Sequence, residues 1–257
     1  LADHVRAEKC GDIVYYNVNC HVNLTNICMA HCKFCAFGRD AEDAGAYEMS
    51  ASEAVAHVAE AMRDPHLAGL HVVSGLHPTW TFDDYLLRLR ALHEAFPSLY
   101  LKGFTGVEIT HFAHTSGLSV REVLLRLREA GLQSIAGGGA EILSDRVRGE
   151  LCPNKATADE WLAVARTAHE LGIRTNASMM YGHIETVEER IDHLLALRDL
   201  QDETGGFQAF MLFPFHPENT VLGAEKKLAR VGSWEDMKML ALSRLVLDNV
   251  AHVKAFW

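Results

Sequence analysis

Short apolar runs alternate along this chain with longer stretches in which apolar residues recur every three or four positions. Runs of the first kind read as buried strands, and stretches of the second kind as amphipathic helices. Strands are expected at residues 14–24, 69–73, 99–104, 134–136, 174–180 and 207–213. Helices are expected at residues 50–62, 83–95, 119–130, 158–171, 187–202 and 234–248. Ser50 with Glu53 and Ser119 with Glu122 carry the spacing of a capping box, in which a side-chain oxygen and a carboxylate satisfy the first free N–H groups of a helix. Gly131, Gly172 and Gly205-Gly206 stand where helices should stop. Six strand–helix repeats in a row make a parallel sheet. The expectation is an α/β fold, a partial (βα)6 barrel open at one side, built as a single domain over residues 1–257 with no Pro/Gly/Ser linker inside it.

Composition narrows the function classes. Hydrophobic residues make up 49% of the 257, enough for a sizeable core. Lys and Arg number 24 against 34 Asp and Glu, a formal charge of −10, and no basic run appears. That argues against a nucleic-acid surface. No apolar run approaches the ~18 residues of a membrane-spanning helix, and no basic-then-apolar leader opens the chain. The chain starts without Met and ends on an apolar tail, His252 to Trp257. Both termini are therefore expected to be truncated.

Half of the six cysteines fall in one short stretch, Cys28-Met29-Ala30-His31-Cys32-Lys33-Phe34-Cys35. The C-x3-C-x2-C spacing also fits one face of a helix, where cysteine packs as a small apolar residue. Three thiolates so close together suit an iron–sulfur cluster better, since thiolate is the ligand such clusters use. Three ligands for a four-iron cubane leave one iron open, as in a catalytic metal site. Cys10, Cys20 and Cys152 are scattered and show no disulfide framework. Reduced thiols and an oxygen-sensitive cluster suit the cytoplasm. Two other readings remain. His77, His111, His114, His183 and His216 lie near expected strand ends, as in a zinc-dependent barrel hydrolase. A plain electron carrier could use Cys20 or Cys10 as a fourth cluster ligand.

The cysteine stretch, with aromatic Phe34 before the last thiol, resembles the signature of radical S-adenosylmethionine (SAM) enzymes. The string Cys32-Lys33-Phe34-Cys35-Ala36-Phe37 is similar to a narrower group, which makes menaquinone precursors by the futalosine route and the deazaflavin chromophore. The loops Leu76-His77-Pro78, Ala140-Glu141-Ile142, Met180-Tyr181-Gly182-His183-Ile184-Glu185 and Phe215-His216-Pro217 resemble the synthase branch of that group. So does the stretch at residues 201–210, and the likeness runs from Asp3 to Trp257. Members of the group continue beyond this C-terminus.

The resemblance implies a six-unit partial barrel with the cysteine loop after the first strand. Cys28, Cys32 and Cys35 would hold a 4Fe–4S cluster whose open iron chelates the amino and carboxylate groups of SAM. Phe34, Ser74, Gly75, Glu108 and Tyr181 would lie against SAM. Ser74 departs from the glycine usual there. Gly75 reads equally as an ordinary turn glycine, and Glu108 as a solvated loop carboxylate. Gly137-Gly138-Gly139 could cradle an anion or mark a tight bend. The implied reaction adds the 5′-deoxyadenosyl group to 3-[(1-carboxyvinyl)oxy]benzoate and gives 6-amino-6-deoxyfutalosine. The cyclase of the same route, dehypoxanthine futalosine cyclase, and the deazaflavin-chromophore synthase are the alternatives. Implied partners are that aromatic dicarboxylate and a one-electron reductant such as flavodoxin or ferredoxin, with no nucleic acid and no membrane. Two carboxylates on a flat ring call for donors near apolar walls. Arg39, His77, His183, His216 and Asn219 are the candidates.

Overall fold

The computed structural model describes residues 1–255. A polar N-terminal helix, α1 (Ala2–Cys10), precedes the first strand, β1 (Val18–Asn23). Then follow α2 (Ala51–Ala61), β2 (Leu67–Val73), α3 (Phe82–Ala95), β3 (Tyr100–Gly103), α4 (Gly106–Ser116), α5 (Val120–Glu129) and β4 (Ser134–Ile135). The second half holds α6 (Asp145–Leu151), α7 (Ala158–Glu170), β5 (Arg174–Tyr181), α8 (Val187–Thr204), β6 (Phe207–Pro214), α9 (Val221–Lys226), α10 (Ser233–Val246) and β7 (His252–Ala255). The strands form one sheet in the order β1-β2-β3-β4-β5-β6-β7, parallel at every pairing.

The expected partial barrel is what forms, with one strand more than the six expected. The C-terminal tail, read as an apolar end, pairs with β6 through Ala209–His252 and Leu212–Ala255. Phe256 and Trp257 of that tail lie outside the described residues. Among the described residues β1 and β7 are the two edges, so the barrel stays open along that side.

Local rules explain the helices. Ser50 and Ser119 cap α2 and α5 with Glu53 and Glu122 as reciprocal acceptors, and Thr157–Glu160 and Thr186–Glu189 do the same for α7 and α8. Each such cap is worth ~1 kcal/mol. Helix α8 stops at Gly205, where φ is 63°. Helix α1 shows no buried residue, which is why its polar sequence gave no periodic signal. Helices α4, α6 and α9 were also not expected. Helix α4 begins on Gly106 and carries buried β-branched residues, a composition that reads as strand or loop. The other two are one to two turns long, too short for periodicity to register.

The core lies between the outer face of the sheet and the helices. One buried cluster sits under α2 to α5, around Val22, Leu70, Leu89, Leu101 and Phe112. A second sits under α6 to α10, around Met179, Tyr181, Leu197 and Phe210. The inner face of the sheet instead borders a cavity of about 1160 Å³. None of the described helices is long and apolar enough to cross a membrane.

Candidate active site

The cysteine loop leaves the end of β1 and is irregular backbone, so the three cysteines are not a helical stripe. Its course is fixed by side-chain and backbone bonds. Thr25 donates its hydroxyl to Tyr47 O and accepts from Ile27 N, and Asn26 exchanges bonds with Gly45 and Tyr47. Cys28 N donates to Arg39 O at 3.0 Å, and Arg39 N donates to Asn26 O at 2.9 Å. The far tip is held by the two short helices. Lys33 N donates to Leu151 O of α6, and Leu222 N of α9 donates to Lys33 O.

Cys28, Cys32 and Cys35 all line the cavity, together with Phe34, Ser74, Gly75 and Glu108. Cys28 and Cys32 are half-buried and Cys35 is exposed. Two sulfurs already accept backbone bonds, Cys28 Sγ from Leu76 N at 3.4 Å and Cys35 Sγ from Gly38 N at 3.3 Å. Such bonds are what tune the sulfur ligands of iron–sulfur clusters. Among the described residues no group of three or more His, Cys, Asp or Glu side chains is placed to hold a metal ion. A single tetrahedral zinc would need such a group at ~2.3 Å per thiolate. In a cubane each thiolate instead meets its own iron, so donors standing apart are compatible with a cluster. The expected zinc-site histidines are dispersed: His77 pairs with Glu48, His114 with Glu160 and His183 with Glu185.

Gly75 is required by close approach rather than by turn geometry. A Cβ there would come within 2.3 Å of Ile27 O, and Gly75 N donates to Thr25 O at 2.9 Å. The loop after β2 is thereby pressed against the cysteine loop. Glu108 is not solvated; it is 3% exposed. Its Oε1 accepts from Ser74 N at 2.8 Å and its Oε2 from Thr105 N at 2.7 Å. The side chain thus caps α4 and ties the Ser74-Gly75 loop to it. Burial pushes its carboxyl up to about 7, against the pull of those bonds.

That shift has a signed consequence. Between the ordinary value of 4.5 and about 7 the folded chain binds a proton that the unfolded chain does not. Its stability should therefore fall as pH rises through that window and level off above it. Glu108→Gln has one acceptor oxygen for two N–H groups. It should cost ~1–3 kcal/mol and abolish this part of the pH slope. Denaturant melts of the metal-free chain from pH 4.5 to 7.5 would show both effects.

Lys155 was not anticipated. It follows α6, forms an ion pair with Glu141 at 2.7 Å, and lies over the Phe34 ring at 5.0 Å. Both partners are nearly enclosed, 13% and 12% exposed. Burial works against both charges, yet each holds the other ionised: Lys155 is raised and Glu141 lowered. Burial pushes the Cys32 thiol up to about 12, and the Lys155 charge opposes it. A cation beside Cys32 favours the thiolate that metal binding needs.

The remaining candidates stand elsewhere. Tyr181 faces the second core cluster and donates to Asp236 Oδ1 at 2.6 Å. Arg39 donates to Ala36 O and Gly38 O, bracing the cysteine loop from outside. His77 is 5% exposed, stacks on Trp80 and meets Glu48 at 2.7 Å. His183 is enclosed between Glu185 and Met180 O. His216 and Asn219 are exposed, Asn219 with φ 60°. None of these six lines the cavity. Gly137, Gly138 and Gly139 do line it, but Gly137 is small because β5 passes against it: a Cβ would meet Asn176 C at 2.8 Å.

The polar residues that do face the cavity from the sheet include Asn19, His21, Asn23, His71 and Lys102. A signal for them exists in the sequence. In Val18-Asn19-Cys20-His21-Val22-Asn23 polar and apolar residues alternate strictly, whereas a parallel strand covered on both faces is apolar throughout.

A curled parallel sheet with a three-thiol loop after its first strand, opening onto one large interior cavity, defines the class. The Radical SAM superfamily pattern matches residues 22–197, and the CofH/MqnC C-terminal region matches residues 204–257. The chain belongs to the radical SAM superfamily, whose members are enzymes that use a 4Fe–4S cluster and SAM. It is 47% identical to aminodeoxyfutalosine synthase of Thermus thermophilus over 259 residues, covering all of this chain and 69% of that protein. It is 43% identical to aminodeoxyfutalosine synthase of Streptomyces coelicolor, covering 68% of it. A 5-amino-6-(D-ribitylamino)uracil--L-tyrosine 4-hydroxyphenyl transferase of Methanococcoides burtonii is 37% identical, with all of this chain and 72% of that protein aligned. In fold the chain is similar to methylornithine synthase, at TM-score 0.69 and 16% identity over 98% of this chain and 74% of that one. The FeFe-hydrogenase maturase HydG of Carboxydothermus hydrogenoformans aligns at TM-score 0.76 and 17% identity over 100% of this chain and 57% of that one.

Proposed function

We propose that this enzyme joins the 5′-deoxyadenosyl group of SAM to 3-[(1-carboxyvinyl)oxy]benzoate, with loss of carbon dioxide, to give 6-amino-6-deoxyfutalosine for menaquinone synthesis. The observation that carries this reading is the 47% identity to a protein of that name along the whole chain. Cys28, Cys32 and Cys35 hold the cluster, which when bound supplies the electron that splits the sulfonium of SAM. Phe34, Ser74 and Gly75 form the wall on which SAM rests, since all three border the cavity beside the thiols. Glu108 acts as a positioning residue by anchoring Ser74 N. Tyr181, Arg39, His77, His183, His216 and Asn219 belong to the scaffold in this reading. The chain forms one domain over residues 1–257 in the same reading, which the continuity of the sheet from β1 to β7 supports. A reduced one-electron carrier such as flavodoxin or ferredoxin in the cytoplasm completes the system.

Holding the enol carbon near the adenosyl carbon, with water kept out, favours addition over hydrogen abstraction. The sulfurs and Ser74 sit on the cavity wall, and apolar Val73, Leu76, Met211 and Phe213 border the same space. The test is the fate of isotope-labelled adenosyl, followed by mass spectrometry with reconstituted enzyme. Label should move into an adduct that has lost carbon dioxide. Label released as 5′-deoxyadenosine in step with product would instead assign the chain to the hydrogen-abstracting cyclase or deazaflavin-type enzymes.

A further inference from the structure

The chain as a whole is acidic, yet the cavity is not. Among the described residues six lysine and arginine side chains line it against one carboxylate, Glu108, whose oxygens are taken by Ser74 and Thr105. Three of the six cations are also engaged: Arg6 with Asp3, Lys155 with Glu141, and Arg244 with the carbonyls of Leu247 and Val250. Lys9 lies exposed on α1. That leaves Lys102 and Lys254 inside the barrel with no carboxylate partner among the described residues.

These two do not stand alone. His21 pairs in register with His71, and His71 with Lys102, so the three occupy one rung across β1, β2 and β3. Residues in register on neighbouring strands point to the same face. Their chain neighbours Cys20, Val22, Leu70, Val72 and Leu101 pack outward in the core. The imidazole rings of His21 and His71 are 4.7 Å apart. The next residue of the rung is Ser134, whose hydroxyl is buried without a hydrogen-bond partner among the described residues. From the other edge Lys254 reaches toward the seam, its Nζ 3.4 Å from Asn17 Oδ1.

The electrostatics agree with an unmet need for negative charge. Burial and then the charge of Lys254 lower Lys102. Burial, then Lys102 and His21, push His71 down to about 3. An enclosed cation without a counterion is costly, and a bound anion removes that cost. Val73, Ala136, Met211 and Phe213 border the same space, as an aromatic ring requires. His21 lies two residues before the end of β1, so the rung is ~7 Å below the rim that carries the thiols.

We propose that the rung His21–His71–Lys102, faced by Lys254, seats the ring carboxylate of an aromatic acid, pointing the opposite end of the substrate at the cysteine loop. This deepens the function proposed above and rests on it for the choice of an aromatic dicarboxylate. Lys102 and Lys254 neutralise the carboxylate, and the His21 and His71 imidazoles orient it. The other carboxylate of the substrate then lies near the rim, where carbon dioxide is lost.

The probes are 3-methoxybenzoate and its neutral isostere 3-methoxybenzamide, titrated calorimetrically into the full chain with and without cluster. The acid should bind at least ~10-fold more tightly than the amide. Lys102→Met should erase that preference without weakening the amide, and Lys102→Arg should keep most of it. Lys254→Met is read in the same way and serves if Lys102→Met does not fold. Removing a cation that lacks a counterion should leave the melting temperature equal or higher, whereas a merely structural lysine would lower it. Equal binding of acid and amide to the unaltered chain, or a preference that survives in both methionine variants, overturns the proposal. The two readings fail separately. An acid preference that depends on Lys102, without labelled adduct, sinks the synthase assignment and keeps the subsite. Adduct formation with KM unchanged in Lys102→Met keeps the synthase and sinks the subsite.

Discussion

Cys32→Ala should give a chain that folds, carries almost no iron after anaerobic reconstitution and cleaves no SAM. The unaltered chain should take up about four irons, as three thiolates suit a cubane with one open iron. Cys32 is the most telling of the three because burial holds its thiol near 12 and only the Lys155 charge favours ionisation. Losing it removes a ligand that no neighbour replaces. Cys10 belongs to α1 at the other end of the cavity, Cys20 packs into the core, and Cys152 is buried behind the loop without lining the cavity. Activity should fall at least ~1000-fold, since ligand geometry and count decide whether a metal centre assembles. Cys28→Ala and Cys35→Ala should behave alike, and each also frees a backbone N–H, of Leu76 or Gly38. Cys10→Ala and Cys152→Ala should keep the cluster. Iron analysis and the visible spectrum read the result, and full activity in any of the three motif variants would remove the central assignment.

Lys155→Met should be the most destabilising substitution outside the sheet. It leaves the Glu141 carboxylate enclosed without the Lys155 charge and hydrogen bond that hold it ionised. Breaking one side of a buried ion pair costs ~3–5 kcal/mol, because the surviving charge is uncompensated. For a chain of this size that lowers the melting temperature by roughly 10 °C. The double variant Lys155→Met, Glu141→Leu should recover most of the loss, since an apolar pair of similar volume carries no desolvation penalty. It should still assemble cluster more slowly, because Cys32 lacks its cation. Calorimetry of all three metal-free chains separates the effects. Equal melting of the single and double variants would show that the pair is not what holds this corner.

The features legible in the chain were those whose causes are local. Strand–helix alternation set the parallel partial barrel, because hydrophobic periodicity is decided residue by residue. Ser50–Glu53 and Ser119–Glu122 were readable as helix starts, because a capping box closes within four residues. The thiol triplet was readable because its members share one loop. The far tip of that loop is held in part by α6 and α9, neither visible in the sequence, through the backbone of Lys33.

What tertiary structure decided was the destination of side chains whose partners are distant in sequence. His77, His183 and His216 were grouped because strand ends gather ligands, but His77 turns to Glu48, 29 residues earlier; His183 instead closes on Glu185 within its own loop. Glu108 looked like a loop carboxylate; its partner Ser74 is 34 residues away and comes near only when β2 and β3 pair. Glu141 and Lys155 meet because α6 folds back beside the cysteine loop. The alternation Asn19-His21-Asn23 marks a polar face on β1 by itself. That His21, His71 and Lys102 form one rung is a matter of register, and register is set by the packing of whole strands rather than by any residue within them.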